Sequence, residues 1–275
     1  MERWPLMRGL DTLYAVAPGV GRTLIRFWYQ HMTRLDKNAD MVFMNYGFAG
    51  TEAQDPDITL HPDDESNRYC IQLYHHVAGA VDLSGLDVLE VGCGRGGGAS
   101  YVARYLKPGS MTGVDIAPGA VEFCDNHYDQ PNLGFRQGDA EALPFGDGTF
   151  DAVINVESSH CYGSMEQFLA EVYRLLRPGG WFLFADRRHR KGVAPLHDQL
   201  ERAGFEVVRK RHITANILGA LELDNERKQA LIRKGVPWFL RNVFRQFAAT
   251  KGTSLYKSFD KGGWEYVSFV LRKSA

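Results

Sequence analysis

The sequence predicts an α/β protein with a seven-stranded, mostly parallel sheet. Three observations carry that reading. Short apolar runs alternate with helical stretches from Leu86 onward, Gly and Pro mark the joints, and a glycine cluster separates the first run from the first helix of the series. In order, DVLEV (87–91) is a strand followed by a helix near 97–106, and MTGVDI (111–116) is a strand followed by a helix near 118–128. LGFRQGD (133–139), FDAVINVE (150–157), a helix near 164–176 and WFLFAD (181–186) continue the rhythm, which places helices on both faces of a parallel sheet. Pro108-Gly109, Pro118-Gly119 and Pro178-Gly179-Gly180 set the boundaries, because such pairs favour turns. GFEVVRKRHI (204–213) and the alternating WEYVSFVLRK (264–273) complete the seven strands. The segment between them carries a charge-rich helical stretch (Asp224 to Lys234) and an aromatic one (Trp238, Phe239, Phe244, Phe247). It is too long for a loop and reads as an inserted helical lid over 214–263. The core is then 67–213 plus the terminal strand in 264–275, with 1–66 as an N-terminal helical arm.

The 275 residues are 44% hydrophobic and 24% charged with a net charge of −1, so no net field recruits a polyanion and nucleic acid is disfavoured as a partner. Cys70, Cys93, Cys124 and Cys161 are widely spaced, which points away from a disulfide framework or zinc site and toward a reducing, cytoplasmic setting. Arg, Asp and Pro interrupt the apolar N-terminal stretch, unlike a secretory signal, and no run approaches the 18 apolar residues of a spanning helix. The apolar residues from Trp4 to Trp28 form either a helix packed on its own domain or an interfacial element, which leaves peripheral membrane contact open.

The strongest local signal is Glu90-Val91-Gly92-Cys93-Gly94-Arg95-Gly96-Gly97-Gly98. Glycines let the backbone turn tightly and approach a ligand that a Cβ would hold off. Asp115, at the end of the next strand, can accept both hydroxyls of a ribose, so the pair points to an adenosine-type cofactor. Gly92, Gly94 and Gly97 also satisfy the GxGxxG dinucleotide pattern, which keeps an NAD-dependent oxidoreductase as the competing class. Three features separate the two: Glu90 before the first glycine, Asp139-Ala140 after the third strand, and RLLRPGG (174–180) before the fifth. Glu90 would repel a pyrophosphate, whereas the ammonium of an amino-acid cofactor suits its region.

This combination resembles the class I S-adenosylmethionine-dependent methyltransferases over roughly residues 67–186. MNYGF (44–48), SNRYCIQLYHH (66–76), VLEVGCGRGGGASY (88–101), GDAEALPF (138–145) and NVESSHCY (155–162) are similar to the actinobacterial lipid O-methyltransferases acting on phthiotriol-type and fatty-acyl compounds. The resemblance implies a Rossmann-like sheet with an antiparallel last strand and S-adenosylmethionine as cofactor. It also implies that Gly92 and Gly94 line the methionine moiety, Asp115 binds the ribose, Ile116 covers the adenine, Asp139 accepts from the adenine amine and the Ala140 amide addresses a ring nitrogen. Glu90 and Asn155 join this cofactor group; Asn45 and Tyr46 either close over the cofactor or form a folded-back hydrophobic staple.

Methyl transfer from a sulfonium is an in-line displacement, so aligning the acceptor and excluding water are the main tasks, with effective molarities that can reach ~10⁵ M. An aliphatic hydroxyl profits from a base; a carboxylate does not. His160, after the fourth strand, lies at the ligand-binding edge of the sheet, and Asp186 ends the fifth strand at the same edge. Related sugar O-methyltransferases use such a His and Asp, so Asp186 would orient His160 or meet the acceptor itself. Glu157 is a further candidate that could instead hold a backbone amide. His75 and His76 are adjacent on a helix and face different ways, no cluster has metal spacing, and no metal is expected. Arg187 to Lys191 reads as a solvated loop, or as a stretch that meets an acidic acceptor or a membrane surface. Trp238, Phe239 and Phe244 offer an apolar wall for a long acyl chain, or form the lid's own core. The expected acceptor is a hydroxyl of a lipid or polyketide-derived compound, with a fatty-acid carboxyl or a small natural product or sugar as rivals; the oligomeric state stays open.

Overall fold

The computed structural model describes residues 41–51 and 58–274. Most of the expected N-terminal helical arm, and all of the Trp4 to Trp28 stretch, lies outside the described residues. The seven strands are β1 (Asp87–Val91), β2 (Ser110–Asp115), β3 (Leu133–Gln137), β4 (Phe150–Val156), β5 (Leu176–His189), β6 (Phe205–His212) and β7 (Trp264–Lys273). They lie in the order β3-β2-β1-β4-β5-β7-β6, and β7 runs antiparallel to both of its neighbours while the remaining neighbours pair in parallel. The chain order reverses between β1 and β4, which opens a crevice at the carboxyl ends of those strands.

Both faces of the sheet are buried, as alternate residues along one strand show. Ala152, Ile154 and Val156 of β4, with Leu183 and Ala185 of β5, enter one core; Val153, Phe182 and Phe184 enter the other. Each fully buried large apolar side chain contributes about 1.5–3 kcal/mol relative to its exposed state. The first core is covered by α1 (Arg68–Ala78) and α2 (Gly97–Tyr101), and the second by α4 (Met165–Leu175) and α5 (Val193–Arg202), with α3 (Pro118–His127) between β2 and β3. Pro118 starts α3, where its missing N–H costs nothing, and the Ser164 hydroxyl caps α4 by accepting from the Gln167 amide.

Two elements depart from expectation. The helix near 97–106 is a short α-helix that passes into a π-helical turn over Val102–Leu106. β5 is far longer than WFLFAD: it begins at Leu176, with Gly179 at φ +76° and an irregular register against Phe150 and Ala152, and ends at His189. Arg187 and Arg188 therefore belong to a strand paired with Tyr266 and Glu265 of β7, which corrects the expected solvated loop. The backbone pairing that β7 offers decided this, and no local signal in a run of basic residues announces such a partner.

Four helices, α6 (Thr214–Leu223), α7 (Asn225–Gly235), α8 (Arg241–Phe247) and α9 (Ser254–Asp260), lie between β6 and β7. The segment at 45–49 is pinned between α1 and α6: the Phe48 amide donates to the Tyr69 carbonyl at 2.9 Å, and the Asn216 side chain donates to the Ala49 carbonyl at 2.9 Å. His75 and His76 face different ways, His75 meeting the Tyr101 hydroxyl at 2.7 Å and His76 the Ser268 hydroxyl at 2.9 Å.

Candidate active site

The crevice at the carboxyl ends of β1, β2 and β4 is a cleft of about 1060 Å³ including its mouth, the scale of a small-molecule site. Its floor is the turn after β1. Gly92 (φ +78°) and Gly94 (φ +54°) adopt the left-handed conformation that favours glycine, and a Cβ on Gly92 would stand 2.4 Å from the Ser158 hydroxyl. The turn leads into α2, where a Cβ on Gly98 would stand 2.0 Å from the Tyr74 ring. That ring lines the cleft, and its hydroxyl donates to Glu90 Oε1 at 2.6 Å.

Asp115 faces the same cleft. Its carboxylate accepts from the Gly94 amide at 2.9 Å and from the Ala117 amide at 2.9 Å, tying the end of β2 to the glycine turn. Burial raises its pKa, opposed by those amides. Ile116, Asp139 and Ala140 line the wall beyond it, with the Asp139 carboxylate accepting from the Glu141 amide at 3.0 Å.

At the end of β4, Glu157 lines the cleft at φ +52°, an unusual conformation for a residue with a side chain. Its Oε2 accepts from the Tyr46 amide at 2.7 Å, while Oε1 is buried without a hydrogen-bond partner. Burial and the Asp186 charge push Glu157 up to about 8, against the pull of His160. Beside it, His160 Nδ1 meets Asp186 Oδ1 at 2.7 Å. Asp186 is fully buried and also accepts from the Ser159 hydroxyl at 2.6 Å, the His160 amide at 2.9 Å and the Arg187 amide at 2.7 Å, with Arg188 Nη1 at 3.0 Å. Burial opposes ionisation of Asp186, but His160, Arg188 and Ser159 hold it well below the usual carboxylate range. Burial and Arg187 oppose charge on His160, yet the Asp186 carboxylate outweighs them and raises it to about 9.

A second, more apolar cleft adjoins the first and shares Phe43, Met44, Asn45 and Arg95 with it. Leu231, Ile232, Phe244 and Phe247 of the helices before β7 wall it, with Tyr46 and Lys228 at the side. Lys228 Nζ donates to the Tyr46 carbonyl at 2.8 Å, so Glu157 and Lys228 grip the two sides of one residue at the seam between the clefts.

The methyltransferase domain family matches residues 89–184, the stretch holding the glycine turn, Asp115, Glu157 and His160. The chain is 41% identical over 250 residues to the phthiotriol/phenolphthiotriol dimycocerosates methyltransferase of Mycobacterium tuberculosis (strain ATCC 25177 / H37Ra), covering 90% of this chain and 91% of that one. The chain belongs to the class I S-adenosylmethionine-dependent methyltransferases. It is also 39% identical to the fatty-acid O-methyltransferase of Mycolicibacterium smegmatis (strain ATCC 700084 / mc(2)155), over 90% of this chain and 89% of the relative. In fold, the methyltransferase resembles the cyclopropane synthase MmaA2 from Mycobacterium tuberculosis (TM-score 0.66, 17% identity, 89% and 97% coverage) and the geranyl diphosphate C-methyltransferase from Streptomyces coelicolor A3(2) (TM-score 0.60, 17% identity, 89% and 98% coverage).

In this methyltransferase Gly92, Gly94, Asp115, Ile116, Asp139, Ala140, Asn45 and Glu157 line the first cleft, and Tyr46 and Phe244 line the second. Six residues expected at the site line neither cleft. Glu90 and Asn155 are fully buried behind the lining: Glu90 holds Tyr74, and the Asn155 amide donates to the Val91 carbonyl at 2.9 Å and the Tyr162 hydroxyl at 2.9 Å. Both support the wall from beneath instead of forming it. Trp238 and Phe239 line neither cleft; they are 79% and 63% exposed and pack edge to face on each other. Pro237 follows the end of α7, and the chain there carries both rings past the small lid core of Ile232, Val236 and Phe244. His160 and Asp186 do not line either cleft themselves, although Glu157, Ser158 and Cys161 on either side of His160 do.

Sequence reasoning missed Tyr74, Ser158, Tyr162 and Lys228. Tyr74 was legible in principle, because a glycine in the first turn of a helix implies a close neighbour, but the identity of that neighbour depends on how α1 packs. No helix among the described residues is long and apolar enough to cross a membrane, and no group of three or more His, Cys, Asp or Glu there could hold a metal.

Proposed function

We propose that the methyltransferase binds S-adenosylmethionine in the first cleft and methylates an oxygen of a lipid-type acceptor held in the second. The observation that carries this reading is the junction of the two clefts at Phe43, Met44, Asn45 and Arg95, with the His160–Asp186 pair directly behind Glu157, Ser158 and Cys161 of the first cleft. S-adenosylmethionine supplies an electrophilic methyl group. The residues present fit it: a carboxylate has about four lone-pair positions, and the Gly94 and Ala117 amides leave Asp115 free to accept a ribose diol. Ile116, Asp139 and Ala140 stand where they would hold the adenine, and Gly92 and Gly94 allow close approach of the amino-acid portion.

For a hydroxyl acceptor, His160 would take the proton, with Asp186 keeping the protonated Nδ1 in place and stabilising the imidazolium that forms. His160→Ala should lower kcat toward a hydroxy lipid about 100-fold or more. Because His160 sits at about 9, it is protonated at neutral pH, so wild-type kcat/KM should climb with pH through that value and the climb should vanish in His160→Ala. A pH-independent wild type, or a variant of normal turnover, sinks the base assignment.

A carboxyl acceptor is the second reading, favoured by one observation: the second cleft includes Arg95, Arg227 and Lys228 and no acidic residue. A carboxylate is already nucleophilic, so His160→Ala would then leave turnover near normal. Methyl transfer from labelled cofactor to matched hydroxy lipids and fatty acids, read by mass, separates the two. For either acceptor, Phe244→Ala should raise KM for long-chain compounds about tenfold or more while sparing short ones, since a buried aromatic contributes about 1.5–3 kcal/mol. Equal KM changes for long and short chains would remove Phe244 from the acyl wall.

A further inference from the structure

The connection between α7 and α8 holds the most exposed large apolar side chain among the described residues, Trp238 at 79%, with Phe239 beside it at 63%. Soluble surfaces seldom present two adjacent aromatic rings to water without a use for them. The rings are held, not loose: Arg241 Nε donates to the Val236 carbonyl at 3.0 Å and its Nη2 to the Arg233 carbonyl at 2.8 Å, which closes the tip over the Ile232, Val236 and Phe244 core.

The charge around the tip is one-sided. Residues 231–247, which carry the rings, contain Arg233, Lys234, Arg241 and Arg245 and no Asp or Glu, in a chain whose net charge is −1. Arg233 and Lys234, in the last turn of α7, are exposed beside the rings, and Arg241 opens α8 on the other side. Cations at the end of α7 suit its dipole, but Arg241 in the first turn of α8 does not, so helix stability alone does not account for the pattern.

We infer that the Trp238–Phe239 tip docks on an anionic lipid surface, its rings entering the headgroup boundary and the flanking cations meeting lipid phosphates. Aromatic rings prefer that boundary, and each basic residue near it gains from the negative surface potential. The same helices, α7 and α8, wall the apolar second cleft through Leu231, Ile232, Phe244 and Phe247, so docking would bring the groove proposed for the acceptor to the layer in which a lipid acceptor dissolves. Only that last consequence rests on the lipid-acceptor reading; docking itself does not.

The test uses the full chain with vesicles of phosphatidylcholine, with and without phosphatidylglycerol. Wild type should co-sediment with the mixed vesicles and be released by high salt, while binding pure phosphatidylcholine weakly. Trp238→Ala/Phe239→Ala should weaken partitioning about tenfold or more, and Arg233→Gln/Lys234→Gln should weaken it and flatten its salt dependence. Because both rings are exposed and outside the clefts, the aromatic variant should keep its melting temperature and its turnover of a short, dissolved acceptor. It should lose turnover of an acceptor embedded in mixed vesicles. Equal sedimentation of wild type and variants, or indifference to phosphatidylglycerol, overturns the inference. So does a wild-type dimer in solution that the aromatic variant splits, since the tip would then be a protein interface. Vesicle binding without methyl transfer to any lipid would retain the docking and refute the acceptor reading.

Discussion

Asp186→Ala is expected to destabilise the protein by about 3–5 kcal/mol, because it leaves the partners of a buried charge uncompensated. The carboxylate is fully buried and gathers the Ser159 hydroxyl, the His160 ring and amide, the Arg187 amide and Arg188. At roughly 2–4 °C per kcal/mol for a domain of this class, the melting temperature should fall by about 10 °C. Its pKa is depressed, so the stability it contributes is present above the ordinary carboxylate value and is lost as pH falls through the folded one. Turnover of a hydroxyl acceptor should fall about 100-fold or more with it. Asp186→Asn separates fold from chemistry, since it keeps the shape and several hydrogen bonds but removes the charge. His160, no longer held at about 9, should return toward its ordinary value near 6.5, and the rising limb of kcat/KM should move down with it. A limb that stays in place in Asp186→Asn would show that Asp186 does not tune His160.

Gly98→Ala should be the most damaging change at the first cleft. Its Cβ would stand 2.0 Å from the Cε1 and Cζ atoms of Tyr74, a contact that one side must vacate. α1 and α2 are both packed on the sheet, so the ring is the part that moves, and it lies against the cleft. Overpacking of this kind costs about 1–3 kcal/mol. Losing the Tyr74 hydroxyl would also strip Glu90 of a partner, where Oε2 already has none. Burial raises Glu90 to about 7 although the hydrogen bonds from Tyr74 and the Ala99 backbone favour its ionised form, and without the Tyr74 hydroxyl it would rise further. Titration with S-adenosylhomocysteine should show affinity down about 100-fold, with a partial return in Gly98→Ala/Tyr74→Ala, where the ring is gone. Undiminished affinity in Gly98→Ala would mean that Tyr74 does not shape the cofactor space.

The half of the site proposed for the cofactor was legible because it is written in local chemistry. Gly92, Gly94 and Asp115 sit at strand ends, and a turn that needs positive φ next to a strand leaves its mark in consecutive residues. The positions of the strands along the chain could be read for the same reason, from apolar runs and Pro-Gly joints. The second cleft was less legible. Phe244 and Trp238 look alike as letters, yet one walls the second cleft and the other faces solvent, and the difference is set by where the chain turns after α7. Glu90 and Asn155 carry the right chemistry at the right strand, but strand alternation and the packing of α1 turn them beneath the lining.

By itself, then, the sequence determined the α/β class, the parallel core, the glycine turn with Asp115, and the placing of His160 and Asp186 at one edge. These rest on short-range rules: side-chain period, turn geometry and strand ends. Only the tertiary structure decided that His160 and Asp186 share a 2.7 Å contact, that Lys228 and Glu157 clasp Tyr46, and that Arg187 and Arg188 lie in a strand beside β7. Those contacts join residues tens to more than a hundred positions apart, and their geometry follows from how whole faces pack, which no local pattern encodes.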